Sequence, residues 1–107
     1  MEKLLLDECV PQQLRHNLSE FETYTVAYMQ WGGIKNGKLL VLAVQEQFDF
    51  LLTTDKSIYL QQNLEKFPIA IIVFDAVRID AELIQLLLPQ FKKNIKNYEK
   101  HRAFILG

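Results

Sequence analysis

Acidic side chains close three short apolar runs in this chain. Lys3-Leu4-Leu5-Leu6 stops at Asp7-Glu8, Phe50-Leu51-Leu52 leads through Thr53-Thr54 to Asp55, and Ile69-Ala70-Ile71-Ile72-Val73-Phe74 ends at Asp75. Continuous apolar runs of this kind read as strands covered on both faces, the habit of parallel sheets. In an open parallel sheet the working crevice lies outside the carboxyl ends of the strands, where the strand order reverses. Three such strands gather carboxylates along one edge, and converging oxygen donors suit a hard cation, Mg2+ or Mn2+. A cation held there activates water and neutralises the charge of a scissile phosphate, the chemistry of metal-dependent nucleases. Asp7 and Asp55 are the best-placed pair, because each directly follows a buried strand. Glu8 and Asp75 are lesser candidates for the same cation, since an acid after a strand is also ordinary turn chemistry.

The elements that must position these residues alternate between strands and helices. Pro11 suits the first turn of a helix, in which Leu14 and Leu18 share a face and which ends near Ser19 or Glu20. Phe21 to Met29 alternates and is rich in Thr, Tyr and Val, the pattern of a second strand. Trp31-Gly32-Gly33 marks a loop. Asn36 is a good N-cap for a helix carrying Leu39, Leu40, Ala43 and Val44 and running toward Gln47. The third strand is expected over Phe48 to Leu52. A polar connection, Lys56 to Lys66, holds a short helix around Ser57 to Gln62, and Pro68 admits the fourth strand. Asp80 caps a longer helix from Ala81 with Leu83, Leu86, Leu87 and Phe91 on its apolar side, and Pro89 should kink or split it. After the polar stretch Lys92 to Lys100, Ala103 to Leu106 reads as a last strand. The expectation is one α/β domain over residues 1–107, a doubly wound, mostly parallel sheet of 4–5 strands with helices on both faces.

Composition narrows the class further. Half of the 107 residues are apolar and the charged fraction is ordinary, so the chain can bury a core without staples. Its formal net charge of -1 gives no global argument for nucleic-acid binding, which then needs a local basic patch. The single cysteine, Cys9, excludes an internal disulfide and points to a reducing compartment. No apolar run suits a bilayer span, and the first residues lack the pattern of a signal peptide, so a cytoplasmic protein is expected.

Around the acids, Thr54 is placed to orient a carboxylate or a water, while Thr53 reads as a plain strand residue. Trp31 reads as a packing residue or, beside a crevice, as a platform on which a base stacks. Lys92, Lys93, Lys96, Lys100, His101 and Arg102 form a basic segment that suits a solvated helix face or an RNA backbone. Cys9 has no Cys or His partner at metal spacing and reads as a small buried hydrophobe.

The same residues carry a resemblance. Leu5-Leu6-Asp7-Glu8, then Trp31-Gly32-Gly33-Ile34-Lys35-Asn36-Gly37-Lys38-Leu39-Leu40, then Leu52-Thr53-Thr54-Asp55 followed by Gln61-Gln62-Asn63-Leu64 resemble the ordered signatures of the short PIN-like proteins of bacterial toxin–antitoxin systems. That group is related to PIN-domain ribonucleases and Mut7-C-like domains, and the likeness runs from about residue 3 to residue 88. It implies a parallel sheet, Mg2+- or Mn2+-dependent cleavage of single-stranded RNA, and a cognate antitoxin protein that neutralises the activity. Asp7 would be the first metal acid and Asp55 the acid of strand 3, both catalytic. Gln62 and Asn63, with Asn36, would line the same crevice and bind substrate or a water. The chain departs from the family at Asn36-Gly37-Lys38, where the pattern reads Asn-Gly-Glu: a carboxylate expected beside the metal has become a cation. Three consequences are open: Glu8 or Asp75 substitutes, Lys38 contacts phosphate, or the metal has been lost.

Three functions therefore compete. The leading one is a metal-dependent endoribonuclease, the toxin of a type II pair. A catalytically degenerate member binding RNA or a partner protein is the second. A phospho-receiver-like module, with Asp7, Glu8 and Asp55 as its acidic pocket, is the third; against it, Ala103–Leu106 is followed by Gly107 where such a pocket needs a lysine. A homodimer is possible through the sheet ends or the segment around Pro89.

Overall fold

The structure is a computed structural model that describes residues 1–76, 78 and 80–107. Five strands, β1 (Lys3–Leu6), β2 (Glu22–Thr25), β3 (Phe50–Thr53), β4 (Ala70–Phe74) and β5 (Arg102–Leu106), form one sheet in the order β2-β1-β3-β4-β5. Every neighbouring pair is parallel. The α-helices are α1 (Asn36–Gln45), α2 (Ser57–Gln61), α3 (Ala81–Gln85) and α4 (Leu88–Lys93).

β3 and β4 contain no exposed residue because helices cover both sheet faces. On one face Leu4, Leu6, Phe50, Leu52, Ile72 and Phe74 pack with Leu14, Leu18, Ile84, Leu88 and Phe91. On the other, Leu5, Leu51, Ile71 and Val73 meet Leu39, Leu40, Ala43 and Ile58. Side chains alternate between faces along a strand, so each apolar run supplies both layers. Burial of these side chains, at about 25 cal/mol per Å2 of apolar surface, is the main drive to the fold. No helix among the described residues is long and apolar enough to cross a membrane.

Four local expectations are corrected. Residues 12–18 form a 3-10 helix in place of an α-helix. The second strand stops at Thr25 because a turn follows: Met29 N–H donates to Thr25 C=O, and Gln30 adopts φ 61°. The helix expected to reach Gln47 ends at Gln45, and β3 starts at Phe50, two residues late. There Gln47 (φ 62°) donates to Val44 C=O and Phe48 donates to Ala43 C=O, the double bond of a left-handed helix stop. Finally, the helix is split at Pro89 as expected, but its buried stripe is Ile84, Leu88 and Phe91, while Leu86 lies exposed and Leu83 and Leu87 half-buried.

The order of strands sets the site. The chain moves from β1 outward to β2, then returns to the other side of β1 for β3, so connections leave β1 and β3 in opposite directions. A crevice opens at the carboxyl ends of that pair.

Candidate functional site

β1 and β3 pair with Leu6 beside Leu52, and Asp7 N–H donates to Leu52 C=O at 2.9 Å. The next position on β1, Asp7, therefore stands beside Thr53 on the same sheet face. The fully buried Thr53 hydroxyl donates to Asp7 Oδ2 at 2.8 Å and accepts the Asp55 N–H at 3.0 Å. One hydroxyl thus ties the first acid to the loop that carries the second.

Asp55 is held from two further sides. Its Oδ1 accepts the Ser57 N–H at 2.9 Å and the Ser57 hydroxyl at 2.6 Å, while Oδ2 accepts the Asn36 amide at 3.3 Å. The Ser57 hydroxyl, with help from the Ser57 N–H and Asn36, holds the Asp55 carboxyl below its usual range, against a partial opposing effect of burial. Asp55 is consequently a fixed anion at neutral pH. Asn36 can reach it because Lys35, and not Asn36, is the cap residue of α1; Asn36 opens the helix with its side chain free to cross the crevice.

Asp7, Glu8, Cys9, Ile34, Asn36, Thr54 and Asp55 line a cavity of about 430 Å3. Asp7 Oδ1 also accepts the Glu8 N–H at 2.8 Å. Glu8 turns its Oε1 to the Gly33 N–H at 2.7 Å, clamping the loop before α1, where Gly33 has φ +78°. Cys9 Sγ sits 3.3 Å from the Thr53 hydroxyl and accepts the Thr54 N–H at 3.3 Å.

The candidate residues divide accordingly. The structure brings together Asp7, Glu8, Asn36, Thr54 and Asp55. Gln62 lines the adjoining groove with Lys35 and Gly37, close enough that a Cβ on Gly37 would meet its Oε1 at 3.1 Å. The remaining four stand elsewhere. Asp75 pairs with Lys56 at 3.0 Å. Lys38 is exposed and lines neither cavity. Asn63 is exposed and caps residues 64–66 through the Glu65 N–H. Trp31 is half-buried, packs edge-on against Phe48 with centroids 6.1 Å apart, and lines neither cavity.

Thr53 and Ser57 were missed or misassigned, and Cys9 plays more than the part expected of it. The orienting threonine is Thr53, and Thr54 contributes its backbone N–H. Cys9, half-buried, packs against the core as a small hydrophobe and also turns its Sγ to polar atoms of the crevice. Ser57 stands two residues after Asp55, the spacing at which an Asp side chain commonly binds the following backbone; that signal was present in the sequence.

As to what the site can hold, all four oxygens of Asp7 and Asp55 already accept a hydrogen bond; Asp55 Oδ1 and Asp7 Oδ2 each meet two donors, and Asp7 Oδ1 and Asp55 Oδ2 keep a further lone pair. No three His, Cys, Asp or Glu side chains among the described residues group closely enough to enclose a metal ion. A fully caged ion does not fit this donor set. The oxygens left to meet an ion are Asp7 Oδ1 and Asp55 Oδ2, and Mg2+ is commonly bound through one or two carboxylates with several waters.

Compared with protein-family models, with curated proteins and with solved structures, the chain matches none.

Proposed function

We propose that the protein is a divalent-metal-dependent endoribonuclease of the short PIN-like type, acting on single-stranded RNA as the toxin of a type II toxin–antitoxin pair. The observation that carries the reading is the joining of Asp7 and Asp55 across the β1/β3 reversal through the Thr53 hydroxyl. The order of the signature residues along the chain supports it as well. Asp7 and Asp55 are the residues that hold Mg2+ or Mn2+ in this reading, with Glu8 at the rim. When bound, such an ion neutralises phosphate charge and lowers the pKa of water. Thr53 and Ser57 fix the two carboxylates before substrate arrives, Asn36 steadies Asp55, and Gln62 with Lys35 offers the adjoining groove to the strand.

The test is cleavage of a fluorophore-labelled single-stranded RNA by the purified protein with Mn2+, beside Asp7→Asn and Asp55→Asn. Cleavage abolished in both variants supports the reading. Equal cleavage by all three proteins, or none by the wild type, refutes it. In the latter case the second reading stands: a degenerate PIN-like protein that binds RNA or its antitoxin without cutting. A specific observation favours that alternative, since the first turn of α1 carries no acid and Lys38 occupies its place. Cytoplasmic location and neutralisation by an antitoxin belong to the same proposal.

A further inference from the structure

The sheet has two edges, and they differ in what meets their outward backbone groups. At β2, Glu22 N–H donates to Glu2 C=O and Val26 N–H to Leu6 C=O, so the intervening Thr23 and Thr25 turn their backbone groups away from β1. Thr25 C=O accepts the Met29 N–H at 3.1 Å, its hydroxyl accepts the Tyr28 N–H at 3.0 Å, and Glu22 adds a charge at the strand start. The turn after β2 thus takes up one outward carbonyl of that edge, at Thr25.

β5 differs. Asp75 N–H donates to Leu106 C=O at 2.7 Å, which fixes the phase: alternate residues Arg102, Phe104 and Leu106 face β4, and Ala103 and Ile105 turn their N–H and C=O outward. No turn or loop backbone among the described residues bonds to those outward groups. From Ala103 to Leu106 the strand has no charge and no proline, the usual guards of a free edge. Ile105 is 49% exposed. A cavity of about 560 Å3 runs along the strand, walled by Gln90, Asn94, Asn97 and Tyr98.

We propose that this edge is a self-association surface, on which a second copy of the chain adds its own β5 antiparallel about a two-fold axis at Phe104. The two outward residues straddle Phe104 symmetrically, so Ala103 of each copy faces Ile105 of the other and every outward N–H and C=O finds a partner. Arg102 of each copy then faces Leu106 of the other, and no like charges oppose. A foreign segment with a charge at its centre would set it against Ile105 and Phe104; the chain's own strand does not. A single short strand pair buries an area at the low end of specific interfaces, so the dimer is weak and concentration-dependent.

Sedimentation velocity over a dilution series of the wild type and Ile105→Lys tests this, with amide hydrogen exchange on the same samples. The expected result is a wild-type monomer that becomes dimer as concentration rises, with Ala103 and Ile105 amides slowing in parallel and the Thr23 amide unchanged. Ile105→Lys is expected to remain monomeric with the wild-type circular dichroism and melting temperature. A wild type that stays monomeric, a dimer that forms without slowing the Ala103 and Ile105 amides, or one that persists in a folded Ile105→Lys overturns the proposal.

Discussion

Asp55 and Asp75 follow adjacent strands of one sheet, and both strands are buried along their whole length, yet the two acids are used differently. Asp55 lies beside the reversal of strand order, where the loops after β1 and β3 part and leave room for Asn36 and Ser57 to reach it. Asp75 lies one strand further on and meets an exposed Lys56 at the surface. Identical residues at equivalent strand ends are separated by topology alone. An acid at the reversal is embedded in neutral donors that hold it ionised while leaving a lone pair of Oδ2 free. An acid beyond it has its charge neutralised by a lysine. The lesson is that strand-end acids should be weighed by strand order, which a single sequence does not print.

The contrast can be broken first at Thr53. Thr53→Val keeps the shape of the buried side chain but strips Asp7 Oδ2 and the Asp55 N–H of their partner, and is expected to cost about 1–3 kcal/mol in urea unfolding. A loss within the range of ordinary surface substitutions would mean that the crevice does not depend on the bridge.

A smaller effect is expected at Ser57. Ser57→Ala should raise the Asp55 pKa toward its ordinary value, read by NMR titration of the side-chain carboxyl, and cost about 1 kcal/mol at neutral pH. The sign follows from linkage: a carboxyl lowered in the folded state stabilises above its unfolded pKa, near 3.9, and that contribution disappears as pH falls through the folded value. The gap between wild type and variant should therefore be full above about pH 5 and close in acid.

The smallest effect belongs to the other acid. Asp75→Asn should shift the denaturant midpoint no more than a typical surface change, because both partners are half-exposed. Asp75 holds the Lys56 pKa above its usual value. Any stabilisation by the pair is thus present below the unfolded lysine value, about 10.4, and is lost as pH rises through the folded one. A large loss at neutral pH would show that Asp75 is structurally coupled to the crevice after all.

Much of this architecture could be read from residues. The three apolar runs announce buried parallel strands because full coverage removes the need for polar alternation, and Asp7 and Asp55 stand out as their terminators. Pro89 announces a broken helix. Other features depend on information that one chain does not carry. Adjacency to Asp55 favoured Thr54 in the sequence, and it is the β1/β3 register, Leu6 beside Leu52 and so Asp7 beside Thr53, that gives the bond to Thr53. Residues 26–29 alternate like a strand, and only the hydrogen bonds of Thr25 reveal a turn. Gln47 takes a left-handed conformation usually given to glycine, so composition gave no warning that α1 ends early. The packing partner of Trp31, Phe48, became visible only once Phe48 was left outside β3.

The most direct test of the central claim, that Asp7 and Asp55 form one cation site and Asp75 is outside it, is a Mn2+ titration followed by melting temperature. Wild type, Asp7→Asn, Asp55→Asn and Asp75→Asn are compared side by side. An ion that binds only the folded chain stabilises it by RT ln(1 + [L]/Kd), about 2.7 kcal/mol at a hundredfold excess over Kd. Melting temperature is expected to rise with metal in wild type and Asp75→Asn, and not in Asp7→Asn or Asp55→Asn. A response lost in Asp75→Asn, or one that is the same in all four proteins, would contradict it.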